Sequence, residues 1–181
     1  MTNRREKKLL KSIQQGDEKS FAVIYDFYVG KIYKFVFFKT SSKEAAEEIV
    51  QDVFLKFWQF INQDDKSIVS ISALLYRTAR NLIIDHYRQQ GKYIETPLEE
   101  ELLQDETDLE KEVDVEYDIK EVIKSLELIP ENYQDIIILK FINQMTNREI
   151  AEILDKEEGN IRVLAHRALK ELKKTIANKD V

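Results

Sequence analysis

Apolar residues recur every three to four positions over most of the chain, which is the spacing of one face of an α-helix. The stretch GDEKSFAVIYDFYVGKIYKFVFFK places Phe21, Ile24, Tyr25 and Tyr28 on one helical face, and a second apolar group follows Gly30. Strand-like alternating runs are scarce, and the chain has only four Gly and two Pro. The pattern predicts an all-helical protein.

The next helix is predicted to run through about Phe60. Its opening sequence S-S-K-E, residues 41–44, fits a capping box in which the first Ser and the Glu hold the helix start. Glu48, Gln51 and Asp52 are spaced i, i+3 and i+4, so they share one exposed face. Such a face is either solvated or docks onto a basic partner. A broad apolar stripe lies opposite: Ile49, Val50, Val53, Phe54, Phe57 and Trp58.

After a polar loop, the stretch SALLYRTARNLIIDHYRQQGK predicts another amphipathic helix. Its outer edge carries cations and one amide: Arg77, Arg80, Asn81, Arg88 and, just beyond, Lys92. Tyr76, His86 and Tyr87 are interleaved with them. Cations hold phosphates, whereas aromatic faces and amides hold unstacked bases, as single-strand binding requires. An ordinary amphipathic helix with its aromatics packed inward fits the same spacing.

The C-terminal part has the spacing of a helix-turn-helix. Pro130 separates two helices, since Pro suits a helix start and not its interior. The T-x-x-E box at residues 146–149 opens a short helix to Leu154, and Asp155 at the turn tolerates left-handed backbone. His166 fits base contact or a half-exposed surface position. The outer face of the second helix carries Asn160, Arg162, Val163, His166 and Arg167, with Lys170 near the phosphates.

Charge is distributed very unevenly along the chain, whose formal net charge is −6. Residues 1–92 hold 16 Lys or Arg against 11 Asp or Glu, and residues 119–181 hold 11 of each. Residues 93–118 hold one Lys and 12 acids, a net of −11. So dense a block repels itself, which predicts a flexible tether joining two small helical domains, 1–92 and 119–181. A nucleic-acid mimic that occupies a partner's basic groove is the alternative interpretation.

Three stretches in order resemble a bacterial RNA polymerase sigma factor of the extracytoplasmic-function group. They are AAEEIVQDVFLKFWQ, LLYRTARNLIIDHYR and LIPENYQDIIILKFINQMTNREIAEIL…EGNIRVLAHRALKEL. The resemblance implies two helical domains that bind core RNA polymerase and direct it to promoters. The first domain would recognise and melt the minus-ten element, and the second would read the minus-thirty-five element.

The resemblance also implies roles for particular residues. Glu48, Gln51 and Asp52 match the surface that docks on the polymerase clamp helices. Asn81 matches a residue that helps to hold an extruded promoter base, beside the loop of residues 62–70. The basic surface along the opened strand would comprise Arg77, Arg80, Arg88 and Lys92. The upstream-reading positions would be Arg162, Val163, His166 and Arg167.

Three further points depend on the same resemblance. Residues 136–141 would cradle the flap tip of the polymerase. Leu74 stands where many members have Trp, while Val163 and Leu164 replace polar or basic residues, which leaves the upstream sequence preference open. Members of the group are often held by an anti-sigma protein, so such a partner is expected here.

The sequence gives little support to other classes of function. There is no Cys and there are only two His, which excludes disulfides and thiolate metal sites and predicts neither a metal nor a cofactor. No P-loop or dinucleotide fingerprint occurs, and the adjacent Asp85 and His86 point in different directions on a helix, so no enzyme is predicted. Without a signal peptide or a spanning apolar run, a cytoplasmic protein without membrane insertion is expected. A stand-alone helix-turn-helix repressor and a purely protein-binding module are the alternatives.

Overall fold

The computed structural model describes residues 1, 3–62, 68, 70–91 and 119–178. The described residues form two compact units, one within residues 1–91 together with Glu152–Asp155, and the other within residues 119–151 and 156–178. Throughout the described residues the secondary structure is helical, which confirms the predicted all-α class. Three predicted features lie outside them: Lys92, most of the loop at 62–70, and the acidic stretch 93–118.

The first unit contains four long helices. They are α1 (Asn3–Gln14), α2 (Glu18–Thr40), α3 (Lys43–Ile61) and α4 (Ile71–Gln89). Helix α2 packs against each of the other three, and α3 packs against α4. The predicted stripe of α3 supplies much of the core: Ile49, Val50, Val53, Phe54 and Phe57 are all buried. Removing apolar surface from water stabilises such a bundle by about 25 cal/mol for each Å².

Aromatic pairs join the helices of this core. Phe35 of α2 meets Tyr76 of α4 edge to face, with ring centroids 5.3 Å apart. Phe21 meets Trp58 in the same way at 4.9 Å. Each such pair adds about 0.5–1.5 kcal/mol beyond its buried area. The aromatic side chains of the first unit are therefore largely structural.

The start of α3 differs from the prediction by one residue. Ser41 adopts a left-handed backbone, φ 55°, and ends α2 by donating its N–H to the Phe37 carbonyl. Ser42 is the N-cap instead, and its Oγ accepts from the Ala45 N–H at 3.2 Å. The predicted capping box, with Ser41 as its first residue, is therefore wrong. The Ser42 hydroxyl also donates to the Glu44 carboxylate, and hydrogen bonds to this group lower its pKa.

The described part of the second unit contains shorter helices. They are α5 (Ile119–Leu126), α6 (Glu131–Ile137), α7 (Asn147–Leu154) and α8 (Glu158–Ala177), and a π-helical segment, Ile138–Ile142, continues α6. The last three residues of α7 are grouped with the first unit. Pro130 is the N-cap of α6, so the predicted break is confirmed. The box at Thr146 is confirmed as well: Thr146 N–H donates to Glu149 Oε2 at 2.9 Å, and Glu149 N–H donates to Thr146 Oγ1 at 3.3 Å.

A run of five consecutive buried residues, 135–139, lies at the junction of α6 and the π-helical segment. Consecutive residues point to different sides of a helix, so burial of all five means that this helix is central to its unit. The wider turn closes with the Asn143 N–H donating to the Ile138 carbonyl at 2.9 Å. Phe141, just beyond the run, is 42% exposed.

None of the helices in the described part of the chain is long and apolar enough to cross a membrane.

Candidate functional site: a cavity, two charged faces and a basic helix

A cavity of about 240 Å³ opens between α3 and α4. Pockets for drug-sized ligands measure about 300–1,000 Å³, so this one suits a smaller group. Asn81 lines it, together with an aromatic and aliphatic wall and one cation. The complete lining is Lys56, Phe57, Phe60, Leu74, Thr78, Asn81 and Leu82. The site therefore combines apolar walls, an amide that can donate and accept, and a positive charge.

The basic edge of α4 runs beside this cavity. Arg77 and Arg88 are exposed and Arg80 is half-buried. Arg88 Nη1 lies 3.9 Å from Asp85 Oδ1. Both side chains are more than half exposed, so this ion pair contributes little to the stability of the fold. The Arg77 guanidinium donates to the backbone carbonyls of Glu152 and Ile153, at 2.6 and 3.1 Å, and a phosphate at Arg77 would have to compete with these hydrogen bonds.

The aromatic residues predicted beside those cations do not form a base-stacking surface. Tyr76 is completely buried against Phe35. Tyr87 is half-buried, and its hydroxyl donates to the Lys39 carbonyl. His86 is half-buried, and its Nε2 lies 2.8 Å from the Gln90 amide. Tyr76 therefore packs inward, as in an ordinary amphipathic helix. The aromatic residues that line the cavity, Phe57 and Phe60, lie on α3.

Glu48, Gln51 and Asp52 are all exposed on the outer side of α3. Leu55 continues the same face at i+3 from Asp52 and is 54% exposed. A single exposed Leu is common on protein surfaces, so it does not by itself mark an interface. This acidic face, defined by these four residues, was predicted without Leu55. The spacing of Leu55 from Gln51 and Asp52 is the sequence signal that could have found it.

Helix α8 carries the predicted reading residues. Ile161, Ala165 and Ala168 are buried along one side. Arg162 and Lys170 are exposed, and the remaining predicted residues are half-buried: Asn160, Val163, His166 and Arg167. Within its bounds α8 has five Lys or Arg against two Glu. The neutral total of residues 119–181 thus conceals a basic helix.

The turn before α8 has the geometry that the sequence predicted. Asp155 adopts φ 56°, in the left-handed region. The Lys156 N–H donates to the Ala151 carbonyl at 3.0 Å, which closes the end of α7. The predicted tolerance of Asp for this backbone is confirmed.

The cavity itself was not predicted, because its lining comes from two helices whose packing the sequence does not display. Leu74 belongs to it, so the position that departs from the family pattern faces the cavity. Of residues 136–141, Phe141 is the exposed apolar member, whereas Ile136 and Leu139 are core. Among the described residues no group of three or more His, Asp or Glu could hold a metal ion.

Two family models match the chain. Sigma-70 region 2 matches residues 24–93, and Sigma-70, region 4 matches residues 119–172. The cavity and the acidic face fall within the first match, and the predicted reading residues of α8 fall within the second.

Individual sigma factors are similar to the chain over most of its length. The chain is 29% identical over 182 residues to the ECF RNA polymerase sigma factor SigW of Bacillus subtilis, covering 94% of this chain and 96% of SigW. Its fold is similar to CnrH, solved in complex with the cytosolic domain of CnrY, with TM-score 0.71, 16% identity, and 96% and 98% of the two chains covered. It is also similar to the sigma factor RpoE in complex with the anti-sigma factor NepR from Bartonella quintana: TM-score 0.64, 19% identity, coverage 88% and 98%.

Proposed function

The chain belongs to the extracytoplasmic-function group of RNA polymerase sigma factors, and we propose how its residues share the work of such a factor. A factor of this group is a transcription initiation factor that binds core RNA polymerase and directs it to specific promoters. The first unit acts at the minus-ten element and the second at the minus-thirty-five element. The cavity beside Asn81 is the observation that carries the division of roles.

The cavity is proposed to hold one unpaired base of the minus-ten element. A base can enter only after leaving the stack, and a concave site with aromatic walls favours that state. Phe57 and Phe60 offer apolar contact, while the Asn81 amide can hydrogen-bond a base edge. Lys56 places a positive charge at the same cavity, where a phosphate follows the extruded base.

The basic edge of α4 is proposed to guide the opened strand toward this cavity. Arg77, Arg80 and Arg88 lie on the helix that also carries Asn81, so phosphate contacts would set the register of the base. Lys92 is proposed to extend this edge on the strength of its sequence position.

The acidic face of α3 is proposed to bind core polymerase. Carboxylates at Glu48 and Asp52 repel DNA, so this side of the first unit suits a basic protein surface. Gln51 adds hydrogen-bonding capacity, and Leu55 adds apolar area that a polymerase helix would remove from water. Polymerase and the opened strand would therefore occupy different faces of the α3–α4 pair.

Helix α8 is proposed to read the minus-thirty-five element in the major groove. Arg162 and Arg167 can each make paired hydrogen bonds to guanine, and Val163 offers apolar contact to a thymine methyl group. Asn160 and His166 would contact bases beside them, and Lys170 the phosphates. Exposed Phe141 is proposed as the apolar contact for the polymerase flap tip.

Regulation is proposed to resemble that of the structural neighbours. CnrH is solved with the cytosolic domain of CnrY, and RpoE with the anti-sigma factor NepR. We propose that an anti-sigma protein likewise controls this chain, and that it acts in the cytoplasm. The acidic stretch 93–118 is proposed to tether domains 1–92 and 119–181. The proposal includes neither a cofactor nor an enzymatic reaction.

Run-off transcription with core polymerase on a genomic promoter library tests the proposed function. Selected templates should share two separated sequence blocks, and scrambling either block should reduce transcription. A footprint on DNA by the isolated chain, without polymerase, would instead favour the repressor alternative. Failure of the chain to assemble with core polymerase would disprove the proposal.

A further inference from the structure

Helix α1 carries a dense positive charge that the proposed function does not use. Arg4, Arg5, Lys7, Lys8 and Lys11 are all exposed. The helix ends at Gln14, ahead of the first family match, which begins at residue 24. Its charge is therefore not accounted for by the matched regions.

The cations and the packing residues of α1 lie on opposite sides. Glu6, Leu10 and Ile13 are buried and spaced i, i+4 and i+7. Arg4, Lys8 and Lys11 have the same spacing but begin two residues earlier, which is about 200° around a helix. We call these three residues the cationic stripe. Because the packing residues face inward, the stripe points directly away from the first unit.

The packing residues fix the stripe in place. The Tyr28 hydroxyl donates to Glu6 Oε1 at 2.7 Å in a buried hydrogen bond. Leu10 and Ile13 are 8% and 1% exposed. An amphipathic helix binds a membrane by inserting its apolar face, and here that face is already occupied by the protein core. A lipid surface is therefore disfavoured as the partner.

We propose that the cationic stripe binds the sugar-phosphate backbone of promoter DNA in the initiation complex, without reading its sequence. Exposed α1 side chains include no aromatic residue, so the face suits phosphates rather than bases. From Arg4 to Lys11 the helix rises roughly 10 Å. One DNA strand presents a phosphate about every 3.4 Å of its axis, so the stripe spans about three phosphates. This inference rests on the proposed function, because promoter DNA is the ligand.

The salt dependence of promoter binding by the holoenzyme tests this proposal. The variant Arg4→Gln/Lys8→Gln/Lys11→Gln removes three exposed charges and no buried contact. Each phosphate that is neutralised steepens the plot of log affinity against log salt by about 0.9. Between 50 and 200 mM salt, wild-type holoenzyme should therefore lose about 40-fold more affinity than the variant. The loss should be uniform across promoters and leave the preferred sequence unchanged.

A matched control removes three exposed lysines elsewhere in the first unit, Lys19→Gln/Lys34→Gln/Lys43→Gln. This control should keep the wild-type salt slope. The proposal is overturned if the stripe variant keeps it too, or if the control reduces it equally. Weaker assembly with core polymerase at an unchanged slope would identify polymerase as the partner and also overturn it. If wild-type holoenzyme binds no promoter specifically, the proposed function fails first, so the two failures are distinguishable.

Discussion

The first unit offers a cavity where the second offers a charged helix surface. Asn81 lines a concave site walled by Phe57 and Phe60, whereas Arg162 is exposed on the surface of α8. A base that has left the stack must be enclosed, while a paired base is read by side chains that reach into a groove. Under the proposed function, this difference suits the first unit to single-stranded DNA and the second unit to double-stranded DNA.

Charge is organised differently in the two units as well. The first unit carries cations on all four of its helices, five of them on α1, and four of its acids lie on α3. Residues 119–181 have no net charge but hold five Lys or Arg on α8. Net charge per domain therefore does not predict which surface approaches DNA.

Reversal of the acidic face should have the largest effect, because both units depend on polymerase. In Glu48→Lys/Asp52→Lys, each lost charge contact with polymerase should cost about 2–5 kcal/mol. Promoter binding in the presence of polymerase should disappear, although the variant is more basic and electrostatics alone predicts tighter DNA binding. Co-purification with core polymerase and promoter gel shifts measure the two effects.

The control reverses two exposed acids of α2, Glu18→Lys/Asp26→Lys, and should retain both activities. A fully active Glu48→Lys/Asp52→Lys variant would show that the acidic face is only solvated.

Removal of the guanidinium groups from α8 should have the next largest effect. Arg162→Ala and Arg167→Ala should each weaken promoter-specific transcription by about 1–3 kcal/mol where they contact base edges. Templates with a scrambled upstream element should be affected less. Lys173→Ala/Lys174→Ala removes the same charge further along α8 and should act equally on all templates. Equal losses for both pairs would reassign the two arginines to phosphates.

A double-mutant cycle isolates the cavity of the first unit. Asn81→Ala should weaken holoenzyme binding to an opened promoter, but not to one with an abasic nucleotide at the extruded position. The expected coupling is about 0.5–3 kcal/mol. Arg88→Ala on the same helix should weaken both templates alike, because phosphates remain. An additive cycle for Asn81 would mean that no base is held beside it.

The smallest expected effect is on the free energy of unfolding. Variants of one helix cap in each unit should change the stability of that unit alone. Ser42→Ala should destabilise the first unit by about 1 kcal/mol, and Ser42→Asp should restore the cap. Trp58 is the only Trp of the chain and lies in α3, so its fluorescence during urea unfolding reports this unit. Thr146→Ala, in the second unit, should leave that signal unchanged. An unaltered midpoint for Ser42→Ala would restore Ser41 as the capping residue.

Helix positions were predictable because the apolar spacing and the cap residues agree locally. Adjacent Ser41 and Ser42 both fit a cap, and only the path of the chain from α2 into α3 decides between them. Lys39 shows the same dependence on tertiary packing: it is 4% exposed although Lys is rarely buried. Tyr76 likewise could face either way until its partner Phe35 was known.

The candidate site was predictable where it lies on one helix, and less so where it lies between two. The acidic face and the α8 surface follow from spacings of three and four residues. The cavity requires α3 and α4 to meet at a particular rotation, which places Leu74 and Lys56 beside Asn81. No periodicity within either helix contains that information.

Helix α1 buries fewer side chains than α3 does, so α1 should open locally more easily. It contributes three buried residues, Glu6, Leu10 and Ile13, whereas α3 contributes eight. Elements with few buried contacts open with a smaller free energy than the whole fold. The amide protons of α1 should therefore exchange with solvent before those of α3. A ligand that binds only closed α1 would slow this exchange in proportion to its occupancy, so α1 is a built-in reporter of whatever contacts its outer face.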